Sequence, residues 1–418
     1  MLRRAIVGLV GACLVYISTT ARGGDERGSL VIIGGALRAS DNATADREIW
    51  NRVVALAGGE NAKIAVFPTA SGSWRDSGKR AVTALKRAGA EAFVVPLAVT
   101  DDEVDFRKTV VDPELIEQVR NADGVFFTGG DQKRITKALK TAEGENTPLL
   151  DAVWEVYRGG GVIAGTSAGA AVLSSIMFSD PDSVLSTLKQ GVTIGKEIDQ
   201  GLGFLDHSWF IEQHCLARGR FARALVAMHS QGLKFGIGVD ENTAVVVRHG
   251  DEVEVVGSKG AVVLDLSNAS HDPDILGFNL KNIRLTYLDH GDTFDLRTLA
   301  VTPAKEKQDG LVPMPEDDDL DGDDADGQSG TPVVNDILGD TKIVELLQGL
   351  LRGRKREAIG LAFDGAALRK EPTQGFEFHF YPAADSAGWF GNVLSGTGLT
   401  VSNIHLDVRP VEIGMQYK

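Results

Sequence analysis

Short apolar runs alternating with amphipathic segments constrain the fold of this chain more than any other feature of its sequence. Strands that are apolar throughout and separated by helices form a parallel sheet covered on both faces. The sequence therefore predicts an α/β fold with a mostly parallel sheet between two layers of helices. The predicted strands cover residues 30–34, 63–68, 92–96, 124–128 and 162–165, and the predicted helices cover residues 48–57, 76–88, 113–121 and 148–158.

Small and polar residues follow several of these runs. They are Gly34-Gly35, Pro68-Thr69-Ala70-Ser71, Gly129-Gly130 and Ser167. In parallel sheets the site lies beyond the carboxyl ends of the strands. The sequence therefore predicts that these segments converge on one crevice.

The segment Gly165-Thr166-Ser167-Ala168-Gly169 follows the apolar residues 161–164 and is typical of a nucleophile elbow. Glycines on both sides allow a sharp strand-to-helix turn that presents the serine at its tip. A serine hydroxyl needs a base to take its proton, and the base works best when a third group holds its tautomer.

Eight histidines compete for the role of base. His214 is favoured because a predicted strand ends just before it, and a predicted helix, residues 218–231, follows it. Glu241 follows a glycine-punctuated strand at residues 235–239 and could orient the imidazole. Asp240 is the alternative, since side-chain alternation favours only one of this pair.

Beyond residue 235 the predicted strands are closely spaced. Residues 243–248, 252–257 and 261–266 alternate like an antiparallel meander, which residues 283–294 would complete. This meander is the expected antiparallel extension of the main sheet.

Residues 302–335 lose apolar periodicity and include the acidic run 316–327, which predicts a solvated linker. A calcium loop is the alternative, although its glycine is misplaced and the terminal glutamate is absent. An amphipathic helix at 334–351 and strands at 358–363, 376–381 and 401–408 then predict a small α+β module of unknown role.

The N-terminus combines two arginines, an apolar stretch at residues 5–17 and small residues through Ala21, as secretory signal peptides do. A lipoprotein signal at Cys13 is the alternative. Both interpretations predict an exported, secreted or periplasmic protein without a membrane span. After cleavage of a signal peptide near Ala21, only Cys215 remains, so an internal disulfide cannot form. The net charge of −15 argues against a nucleic-acid partner.

The predicted domain organisation has four parts. They are a signal peptide at 1–21, a catalytic domain at 28–300, an acidic linker at 301–333 and a C-terminal module at 334–418.

Four further motifs accompany the elbow. They are Gly129-Gly130-Asp131-Gln132, Glu212-Gln213-His214, the segment GVDENTA at 238–244, and the segment GDTFDL at 291–296. With these motifs, residues 30–299 resemble the cyanophycinase and aspartyl-dipeptidase family of serine exopeptidases. The resemblance implies a fold like that of class I glutamine amidotransferases, and it makes a homodimer a candidate assembly.

By resemblance, Ser167 is the nucleophile, His214 the base and Glu241 the third member of the triad. The amides of Gly130 and Ala168 would form the oxyanion hole. This chemistry requires neither a metal nor an organic cofactor.

The cyanophycinase signature R-x-R-x-x-R within the family matches Arg218, Arg220 and Arg223. Guanidinium groups bind carboxylates in bidentate fashion, as an aspartate-based substrate would require, and Arg220 and Arg223 would share a helix face. Glu212 replaces the aspartate of the family motif D-Q-H, so the acid expected to meet a substrate guanidinium is one methylene longer.

Gln132 and Gln213 are further candidates for substrate contacts, whereas Cys215 is interpreted as a small buried residue. The order Ser, His, acid differs from that of α/β-hydrolases, where the histidine comes last.

The sequence thus predicts an exported serine exopeptidase that releases β-Asp-Arg dipeptides from cyanophycin, a polymer with an aspartate backbone and arginine branches. One alternative is a dipeptidase for aspartyl or isoaspartyl peptides. An alternative of another class is an exported binding protein in which the triad is inactive and the C-terminal module attaches to a surface or polymer.

Overall fold

The computed structural model describes residues 27–39, 44–312, 331–352, 355–369, 371–393 and 396–414. The predicted signal peptide, the lipoprotein alternative at Cys13 and the acidic run with its calcium alternative lie outside these residues. No helix within them is long and apolar enough to cross a membrane.

The N-terminal half alternates strands with helices. Its elements are β1 (Ser29–Ile33), α1 (Thr44–Leu56), β2 (Lys63–Phe67), α2 (Trp74–Arg87), β3 (Glu91–Val94), α3 (Phe106–Thr109), α4 (Pro113–Arg120), β4 (Gly124–Phe127), α5 (Gln132–Leu139), α6 (Pro148–Arg158), β5 (Val162–Thr166), α7 (Ala168–Ala171), β6 (Ile176–Phe178), α8 (Val184–Gln190) and β7 (Ile198–Gln200). All five predicted strands and all four predicted helices of this half are present, displaced by at most four residues at their ends.

The remaining elements are mostly strands. They are β8 (Trp209–Gln213), α9 (Phe221–Gln231), β9 (Phe235–Val239), β10 (Thr243–Arg248), β11 (Glu252–Gly257), β12 (Ala261–Asp265), β13 (Leu280–Leu288), β14 (Thr293–Asp295), β15 (Val301–Thr302), a 3-10 helix (Lys305–Gly310), β16 (Leu311–Val312), β17 (Val333–Val334), α10 (Lys342–Arg352), β18 (Ala358–Ala362), α11 (Gly365–Leu368), β19 (Thr373–Tyr381), β20 (Ala387–Val393) and β21 (Gly396–Ile413).

The first sheet has the strand order β15-β14-β11-β10-β1-β5-β4-β2-β3. Strands β1, β5, β4, β2 and β3 are parallel, and β10 joins them antiparallel through β1. Separate clusters of buried apolar side chains cover its two faces, one containing helices α1 and α2 and the other α4 and α6. The predicted α/β architecture is confirmed: a mostly parallel sheet with helices on both faces and an antiparallel extension.

The predicted meander is wrong in its pairing. Strands β10 and β11 pair with each other in the first sheet, whereas β12 pairs with β9 and β13 in the second. Between β11 and β12, Gly257 and Gly260 have φ values of +108° and +143°, which redirect the chain. The predicted strand at 283–294 likewise divides into β13 and β14, which lie in different sheets. Alternating hydrophobicity indicates a strand but not its partner.

The second sheet has the main order β17-β18-β19-β21-β13-β12-β9-β8, with β16 and β20 attached at β21. The C-terminal segment is α+β as predicted, but β21 pairs directly with β13 of the preceding part of the chain. Apolar side chains of this C-terminal segment, including those of helix α10, lie in one buried cluster with side chains of α9 and β13. Strands from the predicted catalytic domain and from the predicted C-terminal module therefore build one sheet.

Residues 301–312 were expected to open a linker, but they form β15, the 3-10 helix and β16. Lys307 in that helix is fully buried, and its Nζ lies 2.7 Å from Oδ1 of the equally buried Asp292. Thr400 on β21 donates to the other oxygen of the same carboxylate. These contacts tie residues 301–312 and β21 to the turn between β13 and β14.

Two predicted helices start later than expected. The first begins at Phe221 rather than residue 218, so Arg218 and Arg220 lie in the turn that precedes α9. The second begins at Lys342 rather than residue 334, because Val333–Val334 pair with β18 as a short strand. Before α10, Ile337 is buried although it lies outside the helix, so the apolar spacing of the sequence continues across the turn.

Candidate active site

Ser167 stands at the tip of a strained turn between β5 and α7. Its φ of 53° and ψ of −115° are unfavourable for a residue with a side chain. The turn is tight, since a Cβ on Gly165 would lie 2.0 Å from the carbonyl oxygen of Gly169. Both flanking glycines of the predicted elbow are therefore required by close backbone contact, and the Ser167 hydroxyl is left partly exposed.

The structure brings the three predicted catalytic side chains together. Oγ of Ser167 lies 2.9 Å from Nε2 of His214, and Nδ1 of His214 lies 2.6 Å from Oε1 of Glu241. The His214 side chain is 9% exposed, and that of Glu241 is 25% exposed. This chain of contacts has the geometry by which a base, held by a carboxylate, removes a proton from a hydroxyl.

One tripeptide at the end of β1 holds all three catalytic turns. The carbonyl of Ile33 accepts from the amide of Ser167, and that of Gly34 accepts from the amide of His214. The carbonyl of Gly35 accepts from the amide of Asn242, the residue after Glu241. Sequence analysis placed Gly34-Gly35 at the crevice but gave it no role. The doubled glycine after a buried strand is the signal that marks this position.

The electrostatic environment favours the neutral imidazole. Burial lowers the pKa of His214, and the charge of Arg218 lowers it further, outweighing the hydrogen bond to Glu241, which acts in the opposite direction. Burial acts to raise the pKa of Glu241, but the hydrogen bond from His214 and the nearby cations lower it overall. A neutral imidazole beside an ionised carboxylate is the protonation state that a general base requires.

The alternative between Asp240 and Glu241 is resolved by geometry. Asp240 is fully buried and points away from the imidazole, and its Oδ1 accepts from the amides of Leu216 and Ala217. Burial raises the pKa of Asp240. Asp240 therefore holds the turn after His214, while Glu241 contacts the imidazole.

Cys215 is fully buried beside the base, as the sequence analysis expected. Burial raises the pKa of its thiol well above the ordinary value, so a thiolate is disfavoured. Its position is structural, since a Cβ on Gly238 would lie 2.3 Å from the Cys215 sulfur.

Of the two predicted oxyanion-hole amides, that of Ala168 directly follows the serine, and that of Gly130 belongs to a turn that passes close to it. Ala168 is the first residue of α7, where helical N–H groups lack intrahelical partners. The turn containing Gly130 follows β4 with a φ of +145°, and a Cβ on Gly130 would lie 2.2 Å from the carbonyl oxygen of Ala70. Next to it, a Cβ on Gly129 would lie 3.2 Å from the Cβ of Ser167. The backbone of this glycine turn therefore passes close to the nucleophile, as it could not if these residues carried side chains.

Glu212 and Arg223 do not face the substrate crevice, which corrects the predicted contacts. Their side chains are 3% and 5% exposed, and the guanidinium donates to both carboxylate oxygens at 2.8 Å. Arg220 lies 3.9 Å from the same carboxylate and donates to the backbone carbonyl of Gln213. Because Arg220 lies before α9, the two arginines do not share a helix face; both converge on Glu212.

Burial lowers the pKa of Arg220 to about 10, and the charge of Arg223 acts in the same direction. The cluster of Glu212, Arg220 and Arg223 thus supports the strand that ends in His214. The extra methylene of Glu212, expected to alter pocket depth, instead lies within this buried ion pair.

Two of the other predicted contact residues, Gln213 and Arg218, lie beside the triad. Oε1 of Gln213 is 3.5 Å from Oγ of Ser167. Arg218 is 52% exposed and lies 3.6 Å from Glu241. The side-chain amide of Gln132 donates to the backbone carbonyl of Phe178 at 2.7 Å, so this donor is already engaged.

A cavity beside Ser167 and His214 brings in residues that sequence analysis missed. They include Arg38 after β1, Trp50 on α1, Arg80 on α2 and Thr128 after β4. Thr128 follows β4, a strand whose end was already predicted to lie at the crevice. No sequence signal marks the other three residues, because a helical arginine is usually solvated. Among the described residues, no group of three or more His, Cys, Asp or Glu side chains could hold a metal ion.

The chain is similar in sequence to known peptidases. The family model of peptidase family S51 matches residues 30–256. The cyanophycinase of Geminocystis herdmanii is 32% identical over 282 residues, which cover 65% of this chain and 95% of that protein. The cyanophycinase of Trichormus variabilis is 29% identical over 283 residues, covering 66% of this chain and 88% of that protein.

Among solved structures, a peptidase from an acI-B1 actinobacterium aligns with 65% of this chain and 98% of its own, at 23% identity and a TM-score of 0.46. The family match spans more than half of the chain and contains the elbow, His214 and Glu241. This chain belongs to peptidase family S51 and is a serine-type peptidase of cyanophycinase-like sequence.

Proposed function

We propose that this peptidase hydrolyses cyanophycin or a closely similar polymer and releases β-Asp-Arg dipeptides through an acyl-enzyme on Ser167. The observation that carries the proposal is the contact sequence from Ser167 to His214 to Glu241, at 2.9 and 2.6 Å. The names of the two relatives support the choice of substrate.

In the proposed reaction, Oγ of Ser167 attacks the scissile carbonyl carbon while its proton passes to Nε2 of His214. The oxyanion that forms accepts hydrogen bonds from the amides of Gly130 and Ala168. The tetrahedral adduct collapses as His214 returns the proton to the leaving nitrogen, which leaves an ester on Ser167. Water then attacks the ester, with His214 again taking and returning the proton.

Glu241 stabilises the imidazolium that forms in each step and holds the tautomer in which Nε2 is free to accept. Gln213 and Arg218 are the proposed polar contacts for the substrate, because both lie beside the triad. Arg220, Arg223 and Glu212 position the end of β8 through the ion pair described above.

The test combines a variant with a substrate profile. Ser167→Ala should lower hydrolysis of cyanophycin by several orders of magnitude without loss of folding. A release profile over β-Asp-Arg polymer, β-Asp-Lys polymer and Asp-X dipeptides should place the β-Asp-Arg polymer first. Undiminished activity of Ser167→Ala would refute the mechanism, and a preference for the dipeptides would refute the substrate.

Labelling of Ser167 by a fluorophosphonate tests the triad separately from the substrate. A reactive Ser167 is expected, since the neutral base lies within hydrogen-bonding distance. An unreactive serine in folded protein would favour a binding protein over an enzyme.

We also propose that the protein is exported, with residues 1–21 removed as a signal peptide. The charged and apolar pattern of the N-terminus supports this proposal. N-terminal sequencing of the mature protein should give a start close to residue 22, and an intact Met1 on material from cells would contradict it.

A further inference from the structure

A cavity of about 480 Å³ opens directly beside the nucleophile. Ser167 and His214 form one end of it, and the segment after β1, helix α1 and helix α2 form its walls. The apolar part of the wall includes Leu37, Ala39, Trp50 and Ala81. We call this space the Arg38–Arg80 cavity, after the two cations that line it. Its volume suits an amino-acid-sized group rather than a water molecule.

Arg38 and Arg80 are exposed, and neither forms an ion pair with another described residue. Among the described residues that line the cavity, none carries a carboxylate. Two uncompensated guanidinium groups therefore face a space that ends at the nucleophile.

Thr128 supplies an independent observation. It lines the same cavity and is only 3% exposed, yet its hydroxyl has no hydrogen-bond partner within the described part of the chain. Buried hydroxyl groups normally have a partner. A ligand oxygen in the cavity would supply one.

The cations are held on ordered supports. Nε1 of Trp50 donates to the backbone carbonyl of Arg38 at 2.9 Å, and the indole ring packs 4.9 Å from the ring of Phe126. Arg80 is part of α2, whose neighbouring residue Ala81 packs in the core. The backbone at both arginines is therefore fixed before any ligand binds, which reduces the entropic cost of binding.

We propose that the Arg38–Arg80 cavity is a subsite for a carboxylate on an aliphatic stem, adjacent to the bond that is cleaved. The two arginines bind the carboxylate through charge-assisted hydrogen bonds, and the stem lies against Trp50 and Leu37. The subsite rests on the proposed function. In a β-Asp-Arg polymer the carboxylate has two sources, the free α-carboxylate of each arginine unit and the carboxylate at the end of the chain.

The experiment compares full-length wild type with the double variant Arg38→Gln/Arg80→Gln on three synthetic β-Asp-Arg oligomers. One oligomer is unmodified, one has its arginine α-carboxylates amidated, and one has its chain-end carboxylate amidated. The amide that removes the bound carboxylate should lower kcat/KM of the wild type by about tenfold or more. The double variant should show a similar loss of kcat/KM on the unmodified oligomer. Its kcat/KM should then be the same for the unmodified oligomer and for that amide.

Lys79→Gln is the matched control, because it removes one charge from the same helix without lining the cavity. It should retain wild-type kcat/KM. The double variant should also react with a fluorophosphonate at the wild-type rate, since the triad is untouched. Equal losses on all three oligomers, unchanged kinetics of the double variant, or faster hydrolysis by it would each overturn the proposal.

A second readout does not depend on turnover. The dipeptide β-Asp-Arg should slow fluorophosphonate labelling of Ser167 in the wild type more than its diamide does, and this difference should vanish in Arg38→Gln/Arg80→Gln. If the oligomers are not hydrolysed but this difference is present, the proposed substrate fails and the subsite stands. Equal protection by acid and amide overturns the subsite.

Discussion

Ser167 and His214 both have positive φ values, 53° and 50°, although each carries a side chain. Such a conformation costs about 1–2 kcal/mol per residue and persists only where neighbouring structure enforces it. Here the carbonyls of Ile33 and Gly34 hold the two amides. This strained backbone keeps the Ser167 hydroxyl and the His214 imidazole in one arrangement. Less rearrangement of these groups is then needed before the hydroxyl attacks a substrate.

The pH dependence of hydrolysis should reflect the environment of His214. Because burial and Arg218 lower its pKa below 6.5, the acidic limb of kcat/KM should have its midpoint below that pH. Arg218→Gln removes a cation that favours the neutral imidazole, so the midpoint should move to higher pH. The measurement is kcat/KM against pH for both proteins.

Arg297→Gln serves as the control, since Arg297 is 75% exposed and pairs with Asp251 away from the site. Its acidic limb should coincide with that of the wild type. A midpoint that stays fixed or falls in Arg218→Gln would contradict the assigned cause of the shift.

The end of β1 is the element that assembles the site. Three consecutive carbonyls, from Ile33 to Gly35, bind the turns that carry Ser167, His214 and Glu241. These turns follow β5, β8 and β9, which belong to different sheets. A single central strand thus aligns side chains that are far apart in the sequence, and their close approach requires the two glycines that follow it.

Gly35→Ala should therefore damage activity more than stability. The added Cβ would lie 2.2 Å from Cε1 and 2.5 Å from Nε2 of His214, so the imidazole must move. A displacement of about 1 Å is expected to lower kcat/KM by about 100-fold. Hydrolysis and fluorophosphonate labelling measure this effect, and chemical denaturation measures the free energy of unfolding.

Gly58→Ala is the matched control. Gly58 also has a positive φ, +110°, but nothing lies within 4 Å of its added Cβ. Both variants should lose about 1–2 kcal/mol of unfolding free energy from backbone strain, and only Gly35→Ala should lose activity. Equal activities of the two variants would show that the contact with the imidazole is harmless.

Considered as a whole, the molecule has a C-terminal segment that completes the core beneath the catalytic turns. Phe376, Phe378 and Phe380 on β19 are fully buried in the cluster that also contains Phe221 of α9. Burial of each such side chain contributes about 1.5–3 kcal/mol, against a net stability of about 5–15 kcal/mol for a typical protein. The segment is therefore expected to be essential for folding rather than an appendage.

Ending the chain after Val312 should leave one edge of β13 without its partner β21 and this core open. We expect an aggregated or unfolded product by size-exclusion chromatography and circular dichroism. Lys307→Met keeps every strand but leaves the Asp292 carboxylate buried without its cation, so it should remain soluble with about 3–5 kcal/mol less unfolding free energy. A truncated protein that is monomeric and as stable as the full chain would contradict this account.

The part of the site that depends on local sequence signals could be predicted from the sequence. A serine between glycines at a strand end, followed by an apolar helix, specifies a strained turn through short-range sterics alone. The histidine and the carboxylates were recognised through motifs, but only packing could assign Asp240 to the turn amides and Glu241 to the imidazole. Likewise Glu212 and Arg223, which as charged residues look like substrate contacts, pair with each other in the interior.

Local sequence patterns were sufficient to predict the parallel sheet, its helices and the serine elbow, because apolar periodicity and backbone sterics act over a few residues. The folded structure determined which strands pair, how β10 and β12 enter different sheets, and that Arg38 and Arg80 meet beside the nucleophile. Those outcomes depend on contacts between residues far apart in the chain, and no local sequence pattern predicts such contacts.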